Sequence, residues 1–198
     1  MSIITLPYFR DEIMLPNISQ LTVSELVTQY ITTYETQFLQ KVLGYSLAKD
    51  FIVGLAVMPT PAQKWLDLRD GKEFTDPDTS TLTKWIGWKD ITTYQSAIAY
   101  YVYYKIRKDT TIFTTASGDA ASTHENSFNV GSGRKMAFAW NQMCDWNYLV
   151  WQYLWVNKST YDLESSDFGS FWHNRGIQYF LKNADYLNMC NSINNFDL

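Results

Sequence analysis

Apolar side chains recur at intervals of three and four residues between positions 23 and 44 of the chain. The recurring residues are Val27, Ile31, Tyr34, Phe38 and Val42. This spacing puts them on one face of an α-helix, which we expect to end at Gly44. Shorter helices are predicted over about 45–57 and about 61–69, and the second begins with a proline, which suits a first helical turn.

The hydrophobic period changes after residue 71. Residues 72–75, the polar run 76–80 and residues 81–88 have the composition of a strand, a turn and a second strand. In the second strand, apolar and polar residues alternate in part, which is the pattern of a strand with one covered face. The sequence therefore predicts a small β-hairpin insertion at about 72–88.

The two longest helices are predicted over about 90–108, with Asp90 as its cap, and over about 133–157. In both segments the apolar residues lie on most sides of the helix rather than along one stripe. A helix with this pattern is covered on more than one side. Because the chain is short, we expect part of that cover to come from another subunit.

The remaining segments lack such periodicity. Residues 1–18 contain two prolines and several apolar side chains, so we expect an extended arm that docks on a neighbour; the alternative is an arm that folds back on its own core. Residues 110–132 are rich in Thr, Ser, Ala and Gly and predict a long loop that orders in an assembly. Residues 158–198 form a C-terminal extension with a helix at about 177–189.

The pattern as a whole predicts a mainly α-helical protein. Its elements are a helical bundle with two long helices, the hairpin insertion, the loop and the N-terminal arm. The helical domain covers about residues 19–157, between the arm and the C-terminal extension. No internal repeat is visible.

Composition adds a surplus of aromatic residues to this picture. The 198-residue chain has 8 Trp, 14 Tyr and 11 Phe, which is 17% of its length. Tyr and Trp are favoured at protein–protein interfaces because they combine a large area with a polar tip. The surplus therefore indicates extensive subunit contact, and the alternative is a densely packed aromatic core. The net charge of −4 argues against a protein that coats nucleic acid.

The residues that carry chemistry are few and scattered. There are two histidines, His124 and His173, and two cysteines, Cys144 and Cys190, without the spacing of a zinc site or of a catalytic triad. Cys144 has the surroundings of a small buried apolar residue. We therefore expect a protein that is not an enzyme and that uses no metal and no cofactor.

No stretch is long and apolar enough to predict a membrane span, and the N-terminal residues lack the pattern of a secretory signal. We therefore expect a protein that works without a membrane.

A family resemblance rests on the order and spacing of residues over about 20–157. In chain order the matching features are Tyr34-Glu35, Phe38-Leu39, Leu43-Gly44, Phe51, Trp65, Leu68, Gly71, Trp85-Ile86-Gly87, the run Ser96–Tyr104, a Thr- and Ser-rich loop, Lys135 and the run Ala139–Met143. In this order the chain resembles the head–tail connector adaptors, also called head-completion or neck ring proteins, of tailed bacteriophages. The resemblance is greatest to those of Bacteroidetes phages, including crAss-like phages, and it does not extend to 158–198.

The resemblance implies a structural virion protein. Such an adaptor is made in the cytoplasm of the host bacterium and forms a homo-oligomeric ring of twelve copies in the virion neck. The ring joins the portal protein to tail or other neck proteins and surrounds the channel for double-stranded DNA, which passes without sequence-specific binding. An acidic subunit suits such a channel, because like charge keeps DNA from adhering to its wall.

Two sets of residues follow as candidate contacts of the assembly. The candidates for subunit interfaces are Tyr100, Tyr101, Tyr103, Tyr104, Trp140, Trp146, Trp151 and Trp155. The candidates for portal or tail contacts are Phe113, His124, Phe128, Phe171 and Trp172.

Two alternatives stay open at the level of sequence. A ligand- or carbohydrate-binding module could use exposed tryptophans, with Trp85 and Trp88 of the hairpin as its platform. An enzyme could have an unrecognised site around Asp162, Asp167 and His173.

Overall fold

The computed structural model describes residues 2–75, 80–115, 118–121 and 132–163. For residues 111–115, 118–121 and 132 it describes the backbone alone. The elements, in chain order, are α1 (Leu21–Leu43), α2 (Tyr45–Leu55), α3 (Gln63–Asp70), β1 (Lys72–Thr75), β2 (Leu82–Trp85), α4 (Ala97–Thr111), β3 (Ile112–Thr115), β4 (Gly118–Ala121), α5 (Ser132–Val156) and α6 (Lys158–Tyr161). The predicted fold class, mainly helical with a small hairpin insertion, is confirmed.

The four larger helices form a series in which neighbours pack together. α2 packs mainly on α1, α1 on α4, and α4 on α5, while α3 contacts α2. Phe38 of α1 lies at the centre of the core, with its ring centroid 5.4 Å from that of Tyr101 on α4 and 5.5 Å from that of Trp88. Aromatic rings at these separations gain contact energy beyond the area they bury.

The hairpin of β1 and β2 is joined to the helices through tryptophan. The strands are antiparallel, with Lys72 opposite Trp85. The Trp85 side chain is fully buried, and its indole N–H donates to the carbonyl of Leu68 at 3.0 Å. Trp146 of α5 donates in the same way to the carbonyl of Gly87 at 2.7 Å. Each bond satisfies a polar atom that burial would otherwise leave unpaired.

The hairpin meets α3 at Gly87, a position where a side chain would not fit. Its φ is +84°, a conformation that disfavours residues with a Cβ. A Cβ there would also lie 2.6 Å from the carbonyl oxygen of Arg69. The backbone can therefore approach closely enough for the N–H of Trp88 to donate to that carbonyl at 2.8 Å.

The start of α4 differs from the prediction, which placed it at Asp90. Asp90 instead closes a turn, because its carboxylate accepts from the N–H groups of Thr92 and Thr93 at 2.7 and 3.3 Å. The helix begins at Ala97, and Ser96 Oγ accepts from the N–H groups of the second and third helical residues at 3.1 and 3.4 Å. Both Asp and Ser suit an N-cap, so residue type alone did not distinguish them.

The predicted loop at 110–132 is shorter than expected at its N-terminal end. α4 continues to Thr111, and the antiparallel strands β3 and β4 follow it directly. Residues 116–117 and 122–131 lie outside the described residues, as does the predicted helix at 177–189.

The N-terminal arm packs against the body of its own chain, as in the alternative that the sequence left open. It contains two short 3₁₀ turns, Leu6–Tyr8 and Asp11–Ile13. Six of its apolar side chains are buried: Ile3, Ile4, Tyr8, Phe9, Ile13 and Leu15. In this conformation these side chains contribute to the core rather than to a contact with a neighbour.

Over the described residues, none of the helices combines the length and the apolar character that a bilayer-spanning segment requires.

The contact between α2 and α3 can be tested at Gly54. A Cβ on this residue would overlap the indole ring of Trp65, which is itself buried against Phe51. We expect Gly54→Ala to lower the free energy of unfolding by about 2 kcal/mol, because overpacking outweighs the better helix propensity of alanine. Urea denaturation measures this change. The exposed neighbour provides the control: Val53→Ala should change stability by less than about 0.5 kcal/mol. Equal stability of Gly54→Ala and wild type would contradict the packing described.

Candidate interaction surfaces

Most of the predicted interface residues lie inside the subunit. Tyr100, Tyr101 and Tyr103 of α4 and Trp146 of α5 are 5% exposed or less. Trp140 is also buried, and its ring centroid lies 4.8 Å from that of the half-buried Tyr104. The second cover that the sequence assigned to another subunit therefore comes from the same chain, because α4 lies between α1 and α5.

The other two predicted residues lie on the outer side of α5. Trp151 is half-buried and Trp155 is 40% exposed; with Tyr148, which is 56% exposed, they follow the helical spacing of three and four residues. Ring centroids of Tyr148 and Trp151 are 6.1 Å apart, and those of Trp151 and Trp155 are 6.3 Å apart and nearly parallel. We call Tyr148, Trp151 and Trp155 the aromatic stripe.

The two ends of the aromatic stripe, Tyr148 and Trp155, lie away from the core side of α5, whereas Trp151 between them packs partly against the core. Tyr153, which is 2% exposed, points to the opposite side, where its ring packs against Phe74 and Trp85 of the hairpin. At the C-terminal end of the stripe, the Lys158 ammonium lies 5.4 Å from the centroid of the Trp155 ring, within the range of a cation–π contact. One side of α5 thus belongs to the core, and the other exposes the rings of Tyr148 and Trp155.

A second apolar surface covers the outer side of α2. The inner side of the helix is buried through Leu47, Ala48, Phe51 and Gly54. The exposed residues of α2 and of the position that follows it are Tyr45, Lys49, Asp50, Ile52, Val53 and Ala56, and we call them the α2 face. The chain that follows exposes further apolar side chains at Val57 and Met58. The apolar residues of this surface are visible in the sequence, but no contact surface was predicted on the second helix.

Near α2, a cleft of about 350 Å³ contains the buried carboxylate of Glu35 on α1. Both carboxylate oxygens lie 3.0 Å from the N–H of Ile3, and Oε2 also accepts from the N–H of Ile4 at 3.2 Å and from the hydroxyl of Ser2 at 2.8 Å. Arg69 and Lys89 line the same cleft. Because all of these donors belong to the start of the N-terminal arm, the Glu35 carboxylate holds the arm on α1.

A half-buried lysine joins α1 to α4. The ammonium of Lys105 lies 5.5 Å from the ring centroid of Tyr34 and 5.4 Å from that of Tyr101. Burial lowers the pKa of Lys105, with Lys108 and Lys41 acting in the same direction and Asp109 against it. The aromatic rings replace part of the water that this cation loses.

Two phenol groups fasten the end of α5 and the start of the C-terminal extension. The hydroxyl of Tyr161 on α6 donates to the carbonyl of Lys64 at 2.8 Å. The hydroxyl of Tyr153 lies 2.9 Å from the hydroxyl of Tyr161. Burial raises the pKa of both phenols, so neither ionises near neutral pH. They act as hydrogen-bonding groups that hold α6 on α3.

The alternatives based on a binding platform or on catalysis gain no support. Trp85 and Trp88 are fully buried, so neither can form the sugar platform that was considered. Asp162 is exposed, whereas Asp167 and His173 lie outside the described residues. In the described part of the chain, no group of three or more His, Cys, Asp or Glu side chains could hold a metal ion. Cys144 is buried, as its surroundings predicted.

The predicted portal and tail contacts stay predictions. The backbone of Phe113 lies in β3. His124, Phe128, Phe171 and Trp172 lie outside the described residues.

No protein-family model, no curated protein and no solved structure matches this chain.

The pKa of Glu35 leads to a prediction about stability and pH. Burial raises this pKa above its ordinary value of 4.5, although the hydrogen bonds from Ile3, Ser2 and Ile4 act against the shift. The folded protein therefore binds the proton more tightly than the unfolded chain, and ionisation costs stability as the pH rises from 4.5 through the raised pKa. Over this window we expect wild type to lose stability relative to Glu35→Gln, which cannot ionise.

Urea denaturation at a series of pH values between about 4 and 7.5 measures this difference. Glu25→Gln, at an exposed position of the same helix, serves as the matched control. If the stability of Glu35→Gln followed that of wild type at every pH, the raised pKa would be refuted.

Proposed function

We propose that this chain is a structural subunit of the neck of a tailed bacteriophage, where copies form a ring that joins the portal to tail components around the DNA channel. The proposal unites the resemblance of residues 20–157 to head–tail connector adaptors with the surfaces described above. The protein acts mechanically, by assembling and by sealing the channel, and not as an enzyme.

The observation that carries the proposal is the aromatic stripe. On the outer side of α5, Tyr148 and Trp155 are exposed on either side of the half-buried Trp151, while the opposite side of the helix is part of the core. Tryptophan and tyrosine dominate the binding energy of protein interfaces, and exposed apolar patches mark contact surfaces. These exposed rings favour a protein whose partners are other proteins.

Charge is consistent with a channel for DNA. The chain carries a net charge of −4, so a ring of twelve copies would carry many uncompensated negative charges. Such a surface repels the phosphate backbone and lets DNA slide past it. In a filter-binding measurement, we expect no retention of double-stranded DNA of any sequence at physiological salt. Tight, salt-dependent retention would contradict this part of the proposal.

Assembly with the portal tests the proposal directly. The full chain is purified alone and together with the portal protein of the same phage genome. We expect electron microscopy and mass measurement of the mixture to show a ring of this chain bound to the portal, with a central channel. A chain that is monomeric alone is compatible with this result, because the portal can template the ring. A chain that neither self-assembles nor binds the portal would rule the proposal out.

A further inference from the structure

The cleft of about 350 Å³ beside Glu35, which we call the Glu35 cleft, combines aliphatic, cationic and hydroxyl-bearing side chains. Its lining comes from the start of the N-terminal arm, from α1 and α2, from the end of α3 and from the residues after β2. A cavity of this size with an apolar wall and a few converging polar groups has the form of a small-ligand site. The chemistry of each part of the lining indicates which ligand it suits.

Two cations line the Glu35 cleft, and the backbone holds them next to each other. The N–H of Trp88 donates to the carbonyl of Arg69 at 2.8 Å, so Lys89 follows directly beside Arg69. The Arg69 guanidinium is fixed by Asp70, to which its Nε and Nη2 donate at 2.7 and 2.6 Å. These bonds leave Nη1 as a donor for a ligand. Lys89 has no ion pair with any carboxylate in the described part of the chain, so it adds a positive charge that is not neutralised.

An aliphatic wall of the Glu35 cleft is supplied by α2 and the residue that follows it. The wall consists of Ile52, Leu55 and Ala56. Ile52 is 39% exposed and Leu55 is half-buried, so both would lose contact with water if a ligand covered them. Because these side chains carry no polar atom, the wall favours a hydrocarbon group.

The carboxylate of Glu35 orients a ligand rather than binding it. Its oxygens accept from the N–H groups of Ile3 and Ile4 and from the hydroxyl of Ser2, all in the arm. Neither cation of the cleft is ion-paired with Glu35 among the described residues. A negative group on a ligand is therefore favoured beside the cations and disfavoured beside Glu35.

We propose that the Glu35 cleft binds a carboxylate that is carried by a branched aliphatic group, with the carboxylate at Arg69 and Lys89 and the aliphatic group on the wall from α2. Guanidinium and ammonium groups both form strong, charge-assisted hydrogen bonds with carboxylates. The same chemistry is found in a free branched carboxylic acid and in the C-terminal residue of a polypeptide that ends in leucine, isoleucine or valine. The inference goes beyond the proposed function and does not depend on it.

A neighbouring cleft of about 570 Å³ shares Arg69 and Lys89 but has a different lining. It contains the carboxylates of Asp70 and Asp90 and the ammonium group of Lys84, and it lacks the wall from α2. An anion in that cleft would lie near two carboxylates as well as the cations. Lys84, which lines the neighbouring cleft and not the Glu35 cleft, therefore distinguishes the two sites experimentally.

The experiment uses the tripeptide acetyl-Ala-Ala-Leu with a free carboxylate, and its C-terminal amide is the matched control ligand. Heteronuclear NMR of the isotope-labelled, full-length chain follows the backbone amides of Thr36, Ala56 and Lys89, which line the cleft. We expect these signals to shift to saturation with a dissociation constant below about 1 mM. The amide should bind at least about tenfold more weakly, because it lacks the charge that the two cations attract.

Three variants locate the binding site. Lys89→Gln removes the unneutralised cation and should weaken binding of the free carboxylate by about tenfold. Thr36→Trp fills the cleft from an exposed position of α1 and should abolish binding. Lys84→Gln is the matched control, since it removes the same charge at an exposed position, and it should bind like wild type. The NMR spectrum of each variant without peptide checks that the fold is kept.

A third ligand, 4-methylpentanoate, distinguishes the two sources of the carboxylate. This acid carries the same branched group without a peptide chain. If it binds as tightly as the tripeptide, the site takes a free acid. If the tripeptide binds at least about tenfold more tightly, the site takes the C-terminus of a polypeptide. Both results support the site and assign its ligand class.

Several results would overturn the inference. They are the absence of saturating shifts, equal binding of the tripeptide and its amide, unchanged binding by Thr36→Trp or Lys89→Gln, and loss of binding in Lys84→Gln. The inference and the proposed function fail separately. A ring on the portal without peptide binding would refute the inference alone, and peptide binding by a chain that never binds the portal would refute the neck function alone.

Discussion

The fold depends on the burial of tryptophan, because a buried indole N–H costs free energy unless it finds an acceptor. Trp88 accepts this cost, since its indole nitrogen is buried without a hydrogen-bond partner. Trp85 and Trp146 find acceptors at backbone carbonyls, of Leu68 and Gly87, that belong to the ends of α3 and of the hairpin. Unpaired burial of such a group costs about 1–3 kcal/mol, so these bonds determine where the hairpin lies against the helices. The absence of a side chain at Gly87 leaves room for that approach. Around this point the aromatic rings of α1, α4 and α5 complete one core.

Most of the aromatic side chains that the structure describes lie inside the subunit. α4 is apolar on most sides, and the chain itself covers it with α1 on one side and α5 on the other. What remains outside is therefore informative: Tyr148 and Trp155 on α5, and Tyr45, Ile52 and Val53 on α2, are more than a third exposed. Exposed apolar side chains of this kind are suited to contacts with the partners that we propose.

The N-terminal arm shows a balance between apolar and polar contributions. Its buried side chains, Ile4 and Phe9 among them, add to the core, whereas Glu35 satisfies the N–H groups at its start. Burial of that carboxylate opposes its ionisation, and the hydrogen bonds from the arm offset part of this cost. The arm is thus held by a charged group that is itself stabilised by the arm, so the two elements depend on each other.

The sequence by itself determined the helices, the hairpin and the lack of recognisable catalytic or metal-binding motifs, because periodicity and residue type are local properties that adjacent positions carry. It could not determine which chain covers an apolar helix: Tyr101 and Trp155 both lie on helices that are apolar on most sides, yet Tyr101 is in the core and Trp155 is 40% exposed. It also did not distinguish Asp90 from Ser96 as the cap of α4, since both residue types suit that position. In the tertiary structure Ser96 Oγ donates to the carbonyl of Trp88 and accepts from the start of the helix. Burial and the choice of partner arise from contacts between distant parts of the chain, and only the tertiary structure decides them.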